Sequence, residues 1–247
     1  MNPMKIVVVF KFLKNPEDAR VGSDGSVDWR GAKMAVSDDD PAAIQVARNL
    51  AAAGGEIVGL TIGDGDAAWA AARGASSTVI VTDAQSNPDA AATGAILAAG
   101  VRRIGDADVV LIGDSAWDYG VSVALASQLG WTALAGVSSA TMDGDRLRAT
   151  RKFGDSTQVI EVARPAVLAV FASRAEQDAP GMKEVLAARK KPQIKLTLAD
   201  LDLTPADRVI SRGTKLPDTT AARMIDGADP AAAATQLVTA LRAEGVL

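Results

Sequence analysis

Apolar residues in this chain gather into short unbroken runs and do not alternate strictly with polar ones. The runs are KIVVVF (Lys5–Phe10), EIVGLTI (Glu56–Ile62), TVIVT (Thr78–Thr82) and DVVLIG (Asp108–Gly113). A run that is apolar at every position has no face to give to water, so it predicts strands covered on both sides. Segments of helical periodicity lie between them. In DDPAAIQVARNLAAAGG, Ile44, Ala47 and Ala51 share a face with Val46 and Leu50 beside it. Asp40 is placed to cap this helix, Pro41 suits its first position, and Gly54 and Gly55 stop it. DAAWAAARGA and NPDAAATGAILAAGVRRIG are two more helical segments. Strand and helix in alternation, joined by short links, predict an α/β fold built on a doubly wound parallel sheet with right-handed crossovers.

The rhythm changes after Gly130. ALAGVSSATMDGDRLRATRKFGDSTQVIEVARPAVLAVFAS reads as consecutive strands, an added antiparallel β region with hairpin turns at Asp143-Gly144 and Gly154-Asp155. Pro165 opens the last of these strands. A further hairpin is expected around Asp24-Gly25. From about Leu196 the chain becomes a polar arm that ends in ADPAAAATQLVTALRAEGVL, an amphipathic helix with Leu237 and Leu241 aligned. The expected division is residues 1–195 as an α/β domain and 196–247 as an arm. A helix at the end of such an arm has no local surface to cover its apolar face, so it must dock on the core or on a partner.

Composition narrows the chemistry. The 247 residues are 48% hydrophobic with a net charge of -4, as a packed core requires. That charge gives no basic footprint for nucleic acid. No apolar run is long enough to span a membrane, so no membrane insertion is expected. MNPMKIVVVF lacks the layout of a signal peptide and reads as a first strand, which makes the cytoplasm the expected location. The chain has no cysteine and no histidine, which removes thiolate chemistry and the commonest general base and metal ligand. If the protein takes part in chemistry, a bound cofactor is expected to carry it.

One stretch invites such a cofactor. DADVVLIGDSAWDYGVSVALASQLGW (Asp106–Trp131) passes from strand to a turn with Gly113 and Gly120 and into a helix start. The form suits a phosphate cradle, and it equally suits a tight α/β connection.

Ordered motifs along nearly the whole chain resemble the β subunit of electron transfer flavoproteins. They are Val9-Phe10-Lys11, the hairpin with Asp24-Gly25-Ser26, VGLTIG (Val58–Gly63) and ARGAS (Ala72–Ser76). LIGDSAWD, LGW (Leu129–Trp131), RPAVLAVF (Arg164–Phe171), MKEVLAARKKPQIKLTLADL (Met182–Leu201) and the terminal LVTALRAEGVL follow in order. The GDSAWD wording is closer to the branch associated with carnitine metabolism and nitrogen fixation. The resemblance implies a Rossmann-like fold akin to adenine-nucleotide hydrolases. It also implies a heterodimer with an electron transfer flavoprotein α subunit that holds most of the redox FAD. The β subunit would carry AMP or a second FAD at the carboxyl ends of its strands, the position that open α/β sheets offer in any case.

Carried over by position, Val9 would touch the adenine, Ser37 would stand for an asparagine before the first helix, and Ile62 and Gly63 would line the pocket. Gly113 and Asp118 come from the glycine turn, and Gly120, Val121 and Ser122 would present amides, with one hydroxyl, to the phosphate. Two departures bear on that site. The loop before LGW is shorter than the family pattern, with YGVS in place of a glutamine- or threonine-bearing phosphate loop. The acidic run SDDD (Ser37–Asp40) puts Asp39 where the family often has an aromatic residue. Such a run favours a helix N-terminus but repels a nearby anion.

Met182 matches the family's apolar anchor for a flavin dehydrogenase such as an acyl-CoA dehydrogenase, and methionine suits an adaptable contact. The expected function is electron shuttling through a heterodimer, with this chain as a carrier subunit and not a catalyst on its own. Two alternatives stay open: a stress-protein-like nucleotide-binding module without electron transfer, and a structural subunit whose nucleotide site is lost.

Overall fold

The unbroken apolar runs are buried strands of one large sheet. In the computed structural model, residues 3–247 are described apart from 53, 64, 85–88, 115–116, 118, 173–178, 205–208, 210–211 and 219–221. The first strand is β1 (Lys5–Val9), followed by the short strands β2 (Leu13–Lys14), β3 (Arg20–Val21), β4 (Val27–Asp28) and β5 (Met34–Ala35). Then come α1 (Asp40–Ala51), β6 (Glu56–Ile62), α2 (Ala67–Ala72), β7 (Ser77–Val81), α3 (Ala90–Ile104), β8 (Val109–Gly113) and α4 (Val121–Leu129). An antiparallel run of β9 (Thr132–Asp143), β10 (Arg146–Phe153) and β11 (Ser156–Val162) follows. The remaining elements are β12 (Ala166–Val170), α5 (Met182–Ala188), β13 (Gln193–Leu196) and α6 (Pro230–Ala243).

The nine sheet strands lie in the order β11-β10-β9-β12-β8-β1-β6-β7-β13. Every pair from β9 to β13 across that order is parallel, and only the β9–β10 and β10–β11 pairs are antiparallel. Helices cover both faces. Ile6, Val8 and Phe10 pack with Ala43 and Ile44 of α1 and Ala70 of α2. Val7 and Val9 pack on the other side with Ile96 and Leu97 of α3 and Leu125 of α4. That alternation, with both sides apolar, is why β1 shows no polar position after Lys5. Each such buried aliphatic side chain contributes about 1.5–3 kcal/mol. The fold is therefore the doubly wound α/β sheet with an added antiparallel region that the patterning predicts.

Three local features differ from expectation. Helix α1 begins at Asp40, not after it, and its N-cap is Asp39, which makes no side-chain cap bond. The strand β13 was not anticipated: its residues Gln193, Ile194 and Lys195 are exposed and only Leu196 is buried, so it carries no run of apolar positions. It is fixed by parallel pairing to β7, Ile194 opposite Val79. The two-residue β2–β5 pairing, Leu13 opposite Ala35, was also unforeseen because two residues show no period.

The chain divides into two units. One comprises Met1–Val21 and Val27–Gly213 and contains the whole sheet. The other comprises Gly22–Ser26 and Thr214–Leu247. Inside this second unit the Thr214 hydroxyl donates to the Gly25 carbonyl at 2.7 Å. Helix α6 is capped by Asp229, whose carboxylate accepts from the amides of Ala231 and Ala232, and it has no buried residue. Among the described residues, no helix is long and apolar enough to cross a membrane.

Candidate functional site at the switch point of the sheet

The chain steps from β1 outward to β6 and β7, then returns to the other side of β1 as β8. That reversal places a topological switch point between β1 and β8, and the crevice beyond their carboxyl ends is where doubly wound sheets receive ligands. Strand ends supply Val9, Ile62, Ile112 and Gly113 to its walls, and the turn after β1 supplies Phe10 and Lys11. Ser37 and Asp40 enter from the start of α1, and Thr93 and Leu97 from the first turns of α3. The enclosed volume is only about 10 Å³, so these residues form a floor and not a closed chamber.

The polar groups of this floor are held in different ways. Asp40 is buried, and its Oδ2 accepts from the Lys11 backbone N–H at 3.1 Å. Asp39 Oδ1 accepts from the Ala172 N–H at 2.6 Å. The acidic run thus ties the start of α1 to the loops after β1 and β12, and this tie replaces the simple dipole capping that its position suggests. The end of β8 is pressed against the same place. A Cβ on Gly113 would fall 2.7 Å from Asp40 Oδ1 and 3.0 Å from Asp40 N, so only glycine leaves room. Ser37 is 2% exposed, yet its hydroxyl has no hydrogen-bond partner among the described residues. A buried hydroxyl left unpaired is costly unless something else completes it. Thr61 carries the second such hydroxyl, buried in β6.

Helix α4 opens on the same edge of the sheet, since it follows the carboxyl end of β8. Its N-cap, Gly120, has φ +89° and provides no side-chain cap, so the first amides of the helix are left to other acceptors. An L-residue at that φ would be strained.

Of the residues carried over from the resemblance, Val9, Ser37, Ile62 and Gly113 lie together in the floor. Gly63 does not line the floor; it turns the chain after β6, its N–H donating to the Val81 carbonyl at 2.9 Å. Gly120, Val121 and Ser122 form the start of α4 and are not part of the floor, and the Val121 side chain is buried in the core. Asp118 lies outside the described residues. Met182 starts α5 away from the floor and is 76% exposed. Sequence reasoning missed Phe10, Lys11, Thr93, Leu97 and Ile112 as floor residues and treated Asp40 as a cap. A threonine in the otherwise apolar AAATGAIL stretch was the one available signal for Thr93.

Fold and floor together define a doubly wound α/β protein with a crevice at its switch point. The family model described as Electron transfer flavoprotein domain matches residues 25–201, more than half of the chain. The chain belongs to that electron transfer flavoprotein family. Among solved structures, the DNA/pantothenate metabolism flavoprotein from Streptococcus pneumoniae is similar over 65% of this chain and 92% of that chain. Identity there is 10% and the TM-score 0.29, a likeness on which no statement about fold or activity rests.

Proposed function

We propose that this chain is the β subunit of a heterodimeric electron transfer flavoprotein. In this proposal it pairs with an α subunit that holds most of the FAD, and it binds AMP or a second FAD at the switch point. Bound FAD supplies one- and two-electron redox chemistry. The protein's part is to bind and orient. The observation that carries the reading is the buried Ser37 hydroxyl, without a partner among the described residues, in the floor of the switch-point crevice of a chain of this family.

The floor also constrains how a nucleotide would sit. Asp40 brings a carboxylate to the side near β1, so that side suits the hydroxyl and amino donors of a nucleoside and repels phosphate. The first amides of α4, which no side chain of its N-cap Gly120 covers, favour negative charge, and the phosphate belongs there. Helix α6, which has no buried residue, is proposed to dock on the α subunit through Leu237 and Leu241. Exposed Met182 is proposed to contact a flavin dehydrogenase such as an acyl-CoA dehydrogenase. The cytoplasm is the proposed location.

A second reading is favoured by the small enclosed volume and the buried Asp40: a structural subunit with no nucleotide of its own. One experiment separates the two. The chain is co-expressed with its α subunit, purified and denatured, and FAD and AMP are quantified per heterodimer by chromatography. Two FAD, or one FAD with one AMP, supports the nucleotide site. One FAD without AMP refutes it, and a preparation free of flavin refutes the electron-transfer role.

A further inference from the structure

A second cavity of the sheet-bearing unit lies at the other end of the strands. Helices α1 and α2 run back from the switch-point edge, so their last turns lie at the amino ends of the strands. There, Arg48 of α1, the end of α2 from Ala71 to Gly74, and α5 with the residue Lys191 enclose a groove of about 420 Å³. That size falls within the range of small-molecule sites.

Its chemistry is lopsided. Among the described residues, three cations line it, Arg48, Arg73 and Lys191, against one carboxylate, Glu184. Glu184 is already engaged, accepting from the Gly181 N–H at 2.6 Å. None of the three cations forms an ion pair among the described residues. Lys191 Nζ donates to the carbonyls of Ala71 and Ala75, at 2.8 Å each, and so covers the α2 carbonyls that would otherwise repel an anion. Arg73 donates from Nη1 to the Trp69 carbonyl at 3.1 Å and lays its guanidinium 4.4 Å from the Trp69 ring centroid. Burial lowers the pKa of Arg73 from its ordinary value, with Asp66 only partly opposing that shift. A charge that is desolvated without a carboxylate in contact gains when an anion arrives. The rest of the wall is Ala71, Ala72, Ala179, Pro180 and Ala187, small and apolar, which leaves space for a carbon skeleton beside the charged end.

We infer that this groove binds a small organic phosphate, with the phosphoryl group held by Arg48, Arg73 and Lys191 and the carbon body against the alanine and proline wall. The site is separate from the switch-point crevice and does not depend on the subunit assignment.

The test uses the purified full-length chain at physiological ionic strength, with phenyl phosphate and inorganic phosphate as probes. Binding is followed by calorimetry and by tryptophan fluorescence, since Arg73 stacks on Trp69. Expected is one saturable site for phenyl phosphate, several-fold tighter than for inorganic phosphate because only the former uses the apolar wall. Arg73→Gln and Arg48→Gln should each weaken it about tenfold, the size of one lost charge-assisted bond. Lys152→Gln, an exposed cation on β10, should leave it unchanged and so controls for net charge. Arg48 is exposed and bonded only to Gln45 among the described residues, so its variant tests the site even if Arg73→Gln disturbs the tryptophan stack. Absence of saturable binding at millimolar probe overturns the inference. So does unchanged affinity in both arginine variants, or equal affinity for the two probes.

Discussion

Two buried hydroxyls without partners among the described residues, Ser37 Oγ and Thr61 Oγ1, allow the switch-point proposal to be tested by thermodynamics alone. Thr61 is 1% exposed and Ser37 2%, so neither hydroxyl regains water in the folded chain. An unsatisfied buried hydroxyl costs about 1–3 kcal/mol, and replacing it by an apolar group of similar shape relieves that cost. Thr61→Val keeps the volume, and Ser37→Ala removes one atom and leaves a small void. We expect Thr61→Val to stabilise the chain by about 1–2 kcal/mol and Ser37→Ala by about 1 kcal/mol, less the loss of packing. For a chain of this length, each kcal/mol moves Tm by about 2–4 °C, so both shifts are measurable by calorimetry. The two sites should diverge when nucleotide is added. Thr61 is not part of the floor, so its variant keeps the same gain with AMP or FAD present. Ser37 is, so its variant should lose the extra stabilisation that bound nucleotide confers. A fall in Tm of nucleotide-free protein for either variant refutes the assignment of unpaired hydroxyls. Equal ligand-induced shifts in wild type and Ser37→Ala refute the role of Ser37 in the site.

Other perturbations have equally definite outcomes. Gly113→Ala forces a Cβ to within 2.7 Å of Asp40 Oδ1 and should destabilise by about 1–3 kcal/mol, while Gly31→Ala, which meets nothing within 4 Å, should not; thermal melts compare them. Deleting residues 230–247 removes a helix with no buried residue, so Tm should move by less than about 2 °C, and co-purification with the proposed α subunit should be lost. Met182→Asp alters a side chain 76% exposed; it should leave the melt unchanged and slow electron transfer from the proposed dehydrogenase partner in a dye-reduction assay. The Asp200 carboxylate is held below its ordinary pKa by the Thr197 hydroxyl and then by the Thr197 backbone N–H. Its folded pKa lies under its unfolded one, so its stabilisation is present above the unfolded value and disappears as pH falls through the folded value. Carboxyl NMR titration should show a higher Asp200 pKa in Thr197→Ala; an unchanged one would sink that account.

What could be foreseen from sequence was decided by the range of the forces involved. The strands β1, β6, β7 and β8 were legible because burial on both faces leaves no polar position within the run. A crevice at the carboxyl ends of the strands could be expected because strand ends and helix starts share an edge in any such sheet, and the family resemblance supplied Val9, Ser37, Ile62 and Gly113 as its candidates. Asp40 could not be read correctly, because an aspartate before a proline looks like a cap. Only the fold brings the Lys11 amide to its carboxylate. β13 stayed hidden for a related reason: its pairing to β7 supplies backbone bonds that no side-chain pattern records. The groove of Arg48, Arg73 and Lys191 joins residues from three separated segments, none of which is a motif by itself.

The order of strands also governs when the crevice can exist. β1 pairs with β6 on one side and with β8 on the other, Ile6 lying opposite both Ile57 and Val109. The second pairing is clamped where the Lys5 N–H meets the Asp108 carboxylate, across 103 residues of chain. During synthesis β1 can acquire its first neighbour early, but it keeps one raw edge until β8 has left the ribosome. Contacts between residues this distant in sequence form slowly, because loop closure must precede any reward. A nascent chain cut short before residue 109 would therefore hold half a crevice and an open strand edge, the kind of surface that chaperones guard and that aggregates seed upon.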